Sequence, residues 1–174
     1  MVQGMAPTVE VSGEDLLCPG AQVVLTATSN APVTWNNGAT GNTITITTAG
    51  LYIATATNAC GTETDGHQVD ASPLTAAFTA SPTTGAAPLS VQFTNTSVQG
   101  SSSAWNFGGE GSSTSTSPSF TFEEPGVYTV VLVSTLDGCV TQTSQVITVG
   151  LPPPTGSSTI YVPNVFTPNG DHIN

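Results

Sequence analysis

The sequence predicts an all-β protein: two tandem β-sandwiches, then a Pro-rich linker and an extended C-terminal strand. Three observations carry this. Thr, Ser, Gly, Pro, Val and Ala dominate the chain, which favours strands and tight turns over helix. Short alternating or β-branched runs recur between Gly, Asn and Pro turns. The second half also repeats the landmarks of the first.

Taken in order, strand-like runs fall at Thr8 to Val11, Gln22 to Thr28, Val33 to Trp35, Thr43 to Ile46 and Leu51 to Thr57. A second series follows at Ala76 to Ala80, Leu89 to Asn95, Ala104 to Phe107, Ser119 to Phe122, Val127 to Thr135 and Val140 to Val149. Pro19 precedes Val23-Val24-Leu25-Thr26 as Pro88 precedes Val91-Gln92-Phe93-Thr94, and Trp35-Asn36 matches Trp105-Asn106. Gly50-Leu51-Tyr52 matches Gly126-Val127-Tyr128, and each of these strands ends near a cysteine, Cys60 or Cys139. Two diverged copies of one topology result. Trp35 and Trp105 anchor the two cores from mid-module strands, and the Gly-x-Tyr steps at Tyr52 and Tyr128 have the form of a tyrosine corner. Pro73 and the run Leu151 to Ser158 divide the chain into modules at 1–72 and 73–150, a spacer at 151–159 that prolines stiffen, and a tail at 160–174.

The charge balance narrows the function. The chain has no Lys or Arg against 11 Asp plus Glu, for a formal charge of −11, so it has no means of neutralising phosphates, and nucleic acid is excluded as a partner. Polybasic attraction to lipid is absent, and no apolar run approaches the roughly 20 residues of a spanning helix, so no membrane insertion is expected. Trypsin-like proteases find no cleavage site. Met1-Val2-Gln3-Gly4-Met5 lacks the basic and apolar regions of a secretory signal, although the rest reads as exported. The expectation is that the natural protein begins further upstream.

Three cysteines allow one internal bridge at most. Cys18 and Cys60 are the natural pair, flanking the first module and stapling one end of its sandwich, at about 4 kcal/mol in the chain-entropy model. Cys139 is then left to pair beyond this segment, to pair between chains, or to remain a half-buried free thiol. The carboxylates Glu14-Asp15, Glu63 with Asp65, and Glu123-Glu124 read as a solvated acidic surface, with Ca²⁺ recruitment as the alternative. His67 and His172 sit in no triad or metal spacing, and Gly108-Gly109-Glu110-Gly111 is a hairpin turn that opens no helix. No catalytic residue and no enzyme follow from this sequence.

The strings Ala104 to Gly111, Ser117-Pro118 and Phe122 to Val130 resemble the polycystic-kidney-disease (PKD) domain, with its Trp-Asp-Phe-Gly-Asp-Gly and Tyr-x-x-Pro-Gly-x-Tyr-x-Val runs. Asn106 replaces the usual Asp, and the glycine turn carries an extra residue. The first module resembles the immunoglobulin-like repeats that accompany PKD domains in Bacteroidetes surface proteins, through Trp35 to Thr40 and Asn58-Ala59-Cys60-Gly61. Ile160 to Asn174 looks like the opening of the gliding-motility-associated C-terminal domain, a type B signal for type IX secretion, which implies that the natural protein continues past Asn174. Within it Asn169, Asp171 and Asn174 have a spacing that suits a Ca²⁺ loop, although the Pro168 to Asp171 turn explains itself without metal.

Together these resemblances imply a non-catalytic structural or adhesive segment of a large secreted protein, exported by the type IX machinery to the outer-membrane surface as a stalk or filament. Its candidate partners are further copies of itself and a prey or host surface or glycan. The rival is an accessory or glycan- or protein-binding region of a secreted polymer-degrading enzyme, which an exposed Trp35 or Trp105 lining a sugar-sized groove would favour.

Overall fold

The computed structural model describes residues 4–153, and among them every regular element is a strand. The first module contains β1 (Val9–Ser12), β2 (Leu16–Leu17), β3 (Val23–Ser29), β4 (Val33–Trp35), β5 (Thr43–Ile46), β6 (Gly50–Asn58) and β7 (Gly61–Ala71). They form a three-stranded sheet, β1-β3-β5, and a four-stranded sheet, β2-β7-β6-β4. Along β3, Val23, Leu25 and Ala27 turn inward while Val24, Thr26 and Thr28 face out, the period of two that a half-buried strand requires. Ala54 and Ala56 lie opposite Trp35 and Val33 in the β4–β6 register, so small side chains leave room beside the large indole.

The second module contains β8 (Phe78–Ser81), β9 (Thr84–Ala86), β10 (Leu89–Asn95), β11 (Ser102–Phe107), β12 (Ser112–Ser113), β13 (Ser119–Phe122), β14 (Gly126–Leu136) and β15 (Cys139–Gly150). Its sheets are β8-β10-β13 and β12-β11-β14-β15-β9. The order repeats that of the first module, down to a short strand running parallel to the last one, β2 with β7 and β9 with β15. Register fixes the correspondence: Val9 faces Ser29, the last residue of β3, as Phe78 faces Asn95, the last of β10.

Two differences from the sequence reading have physical causes. The 11-residue strand β7 was not expected, because in Gly61–Ala71 only Val69 is buried and the run shows no apolar alternation. Hydrogen-bonded register with β6, from Gly50 opposite Val69 to Asn58 opposite Gly61, makes it a strand. The short strands β2, β9 and β12 likewise exist only through their neighbours.

The cores differ in chemistry. The first is mainly aliphatic, around Val23, Leu25, Val33, Ile44, Ile46 and Val69 with Trp35 and Tyr52. The second is aromatic: Phe93 lies 5.6 Å from Trp105 and 5.3 Å from Phe107, centroid to centroid, and Phe78 meets Trp105 edge-on at 5.0 Å. Trp105→Ala should therefore cost the second module about 3–5 kcal/mol. Urea unfolding followed by circular dichroism checks this, with a midpoint well below that of the wild-type chain as the expected result.

Candidate functional site

The candidate site lies where the modules meet. No sheet crosses from one module to the other; Ser72 and Pro73 join them. β2 ends at Leu17, and the chain then turns through Cys18-Pro19-Gly20, with Ala21 N–H donating to the Cys18 carbonyl at 3.1 Å and Gly20 at φ +74°. A left-handed residue there favours glycine. From the other side comes the β14–β15 hairpin, closed by the Leu136–Cys139 pair around Asp137 and Gly138, both at positive φ. Matching Gly50 with Gly126, β14 runs two residues further than β6, 11 against 9. At the end of this longer hairpin, Cys139 forms a disulfide with Cys18, with 5.3 Å between their Cα atoms.

This corrects the expected Cys18–Cys60 bridge and the expected spare Cys139. Leu17 lies beside Ala71 in the β2–β7 register, near the Gly50 end of β6, whereas Cys60 sits in the turn joining Asn58 to Gly61 at the other end. The length of β6 separates those ends by about 27 Å at a strand's rise per residue, far beyond the reach of a disulfide. Cys60 is free and exposed; Cys139 is buried.

Around the bridge, Leu74 is only 2% exposed yet belongs to neither core. It lines a pocket of about 480 Å³ with Leu17, Cys18, Pro19, Ala71 and Pro73, so the linker itself is packed at the junction. Cys18 also lines a second pocket of about 510 Å³, bordered by the acidic side chains Glu14, Asp15 and Asp137. His67 Nε2 lies 3.1 Å from Asp15 Oδ1 but out of line for a hydrogen bond.

The aromatic landmarks serve the cores. Trp35 and Trp105 are buried, and each indole N–H donates to a loop carbonyl at 2.9 Å, on Gly41 and Ser115 respectively. Neither is placed to line a sugar-sized groove. Tyr52 is buried and its hydroxyl donates to the Thr48 carbonyl at 2.7 Å; half-buried Tyr128 donates to the Glu124 carbonyl at 2.8 Å. Both bonds tie the start of a strand to the corner four residues earlier, as a tyrosine corner does. Asn106 Oδ1 accepts from Gly109 N–H at 3.0 Å, organising the glycine turn.

Desolvation holds the Tyr128 hydroxyl above its ordinary value of 10.0, and the Glu110 and Glu124 carboxylates push it the same way. A folded-state value above the unfolded one contributes stability below pH about 10 and loses it as pH rises through the folded value. The wild-type chain should therefore lose stability above that pH more steeply than Tyr128→Phe, which thermal unfolding across pH 9 to 12 would show.

Among the described residues, no group of three or more His, Cys, Asp or Glu side chains could hold a metal ion. The Ca²⁺ candidates Asn169, Asp171 and Asn174, and the sorting-domain resemblance of Ile160 to Asn174, lie outside the described residues. Among those described, no helix is long and apolar enough to cross a membrane.

Fold and site define a class: tandem immunoglobulin-like β-sandwich modules clamped at their junction by a disulfide. Residues 70–150 match the family model of the PKD domain. The PKD1 domain of Vibrio anguillarum Epp is 30% identical, covering 47% of this chain and 98% of that one, with a TM-score of 0.40. The PKD1 domain from the Vibrio cholerae metalloprotease PrtV is 31% identical, over 44% of this chain and 95% of that one, at a TM-score of 0.38. Three N-terminal domains of the bacteriophage RB49 highly immunogenic outer capsid protein are 18% identical, over 83% of this chain and 59% of that one, at a TM-score of 0.41. No curated protein matches. The second module, matched over residues 70–150, belongs to the PKD domain family.

Proposed function

We propose that this chain is a non-catalytic stalk segment of a secreted surface protein, in which β-sandwich modules are held in series and carry tension. The observation that supports this most is the Cys18–Cys139 disulfide: it lies inside neither module but joins the end of one to the start of the next. A bond in that place limits motion between modules. PKD domains occur in extracellular proteins and are often non-catalytic adhesive or accessory modules, which agrees with a chain lacking Lys and Arg.

The same reading assigns export to type IX secretion and residence to the outer-membrane surface, on the resemblance of Ile160 to Asn174 to a sorting domain. Self-association into filaments would use neutral Thr and Ser faces and strand edges, because chains at −11 each repel unless salt or Ca²⁺ screens them. A prey or host surface or a glycan is the adhesion target. A second reading, an accessory or binding region of a secreted polymer-degrading enzyme, draws on the accessory role of the same family.

Gold-labelled electron microscopy of intact producing cells, with an antibody against residues 73–150, separates the two. Label along surface fibres is the expected result. Label in the culture fluid, co-purifying with hydrolase activity, would establish the accessory reading instead.

A further inference from the structure

We infer that the outward face of the sheet β12-β11-β14-β15-β9 docks on the same face of a second copy of this chain, sheet against sheet. The inference rests on the stalk reading, since stalks standing side by side would bring two such faces together, and it names the surface through which they meet.

The face is apolar along its middle. On β14 the buried residues Val130, Leu132 and Ser134 turn to the core, so Val127, Val131 and Val133 turn outward. Register sets Val146 and Val140 of β15 diagonally beside Val127 and Val133, within side-chain reach, and Ala104 of β11 directly opposite Val133. Val127 is 71% exposed, Val140 58% and Val146 51%. The other outward positions of β14 and β15 are Thr, Ser, Gln and Gly. By contrast, the second sheet of this module, β8-β10-β13, turns only Ser, Thr and Gln outward, as a solvated face does.

The same face is free of charge, and this selects its occupant. The five strands of the sheet hold no Asp or Glu, although the chain has 11 of them and no Lys or Arg. The nearby carboxylates lie in the turns, Asp137 at one end and Glu110, Glu123 and Glu124 at the other. Absence of charge is not a general property of the repeat, because β7, the counterpart of β15, carries Glu63, Asp65 and Asp70. With no cation to offset their carboxylates, two copies meet without penalty only where neither presents any, as like charges brought together oppose contact. A basic partner would find nothing on this face to pair with, and a sugar no aromatic ring to stack on, since Trp105 is buried. A second copy supplies a surface of the same twist and the same side chains, and two such sheets pack face to face. Three strands spaced about 4.8 Å apart, the longest about 37 Å, give a footprint of about 500 Å² per partner. That is the lower edge of specific interfaces, so the contact is weak and reversible and gains from chains being held side by side.

The test uses the full oxidised chain with exposed Cys60 capped by iodoacetamide, so that this thiol cannot cross-link copies. Sedimentation equilibrium should show a reversible dimer that strengthens as salt screens the repulsion between chains at −11 each. Val127→Glu with Val146→Glu should weaken it at least about tenfold. Thr79→Glu with Ser90→Glu adds the same charge to exposed positions of the opposite sheet and should leave it within about twofold of wild type. A measurement on the unsubstituted chain stands beside these: on dilution, the methyl NMR signals of Val127, Val131, Val140 and Val146 should shift while those of Val24, exposed on the first module, stay in place. A wild-type chain that remains monomeric in high salt at millimolar concentration overturns the inference. So does a dimer weakened equally by both double variants, or one whose methyl shifts fall on Val24 instead. A monomeric result would leave fibre labelling in the microscopy above untouched, and label in the culture fluid would leave a measured dimer intact, so the two failures are distinguishable.

Discussion

Pulled from its two ends, the oxidised chain should lengthen far less than the reduced one, by about 400 Å of contour. The disulfide joins residues 121 positions apart, and each residue of extended chain spans roughly 3.3–3.6 Å. Force entering at the N-terminus crosses from Cys18 to Cys139 and leaves along β15, so β3 to β14 sit in a closed loop that tension cannot unravel. Only β1, β2 and β15 lie in the force path, and only they can peel. Reduction opens the loop and exposes both modules to the load. Single-molecule force spectroscopy with and without reductant measures the difference, with Cys18→Ser as the permanently open control. Equal contour lengths for oxidised wild type and the variant would mean that the bridge is not formed.

Opening the same bond should remove about 5 kcal/mol from the free energy of unfolding the whole tandem, since the chain-entropy gain grows with loop length. That is comparable to the entire stability of a small domain. Cys18→Ser is the cleaner variant, because Cys18 is half-buried whereas Cys139 is buried, and a hydroxyl at the latter adds a desolvation cost of its own. Without the bond, Leu74 and the Ser72-Pro73 linker are left to hold the junction, and the modules should unfold as two independent transitions. Trp35 and Trp105, one in each core, report on them separately by fluorescence when either is replaced by Phe. A single unchanged transition in Cys18→Ser would count against the bridge as a structural element.

These results bear on how the molecule can be read. The all-β class was legible because it depends on local chemistry: β-branched runs, turn residues, and apolar positions two apart such as Val23, Leu25 and Ala27. The repeat was legible too, since Trp35-Asn36 with Trp105-Asn106 and Gly50-Leu51-Tyr52 with Gly126-Val127-Tyr128 preserve order and spacing. Strand β7 was not legible, since Gly61–Ala71 buries only Val69 and is held by backbone pairing to β6 rather than by its own pattern.

Composition and spacing by themselves determined the fold class and the presence of two similar halves. Only the tertiary structure decided which cysteines meet. Cys18 and Cys60 are nearer in sequence, yet the antiparallel run of β6 places them at opposite ends of one sandwich, while a hairpin two residues longer brings Cys139 to Cys18 across the junction. Disulfide pairing depends on distance and direction between Cα atoms, and those follow from where strands end in space, a non-local property that cysteine counting cannot reach.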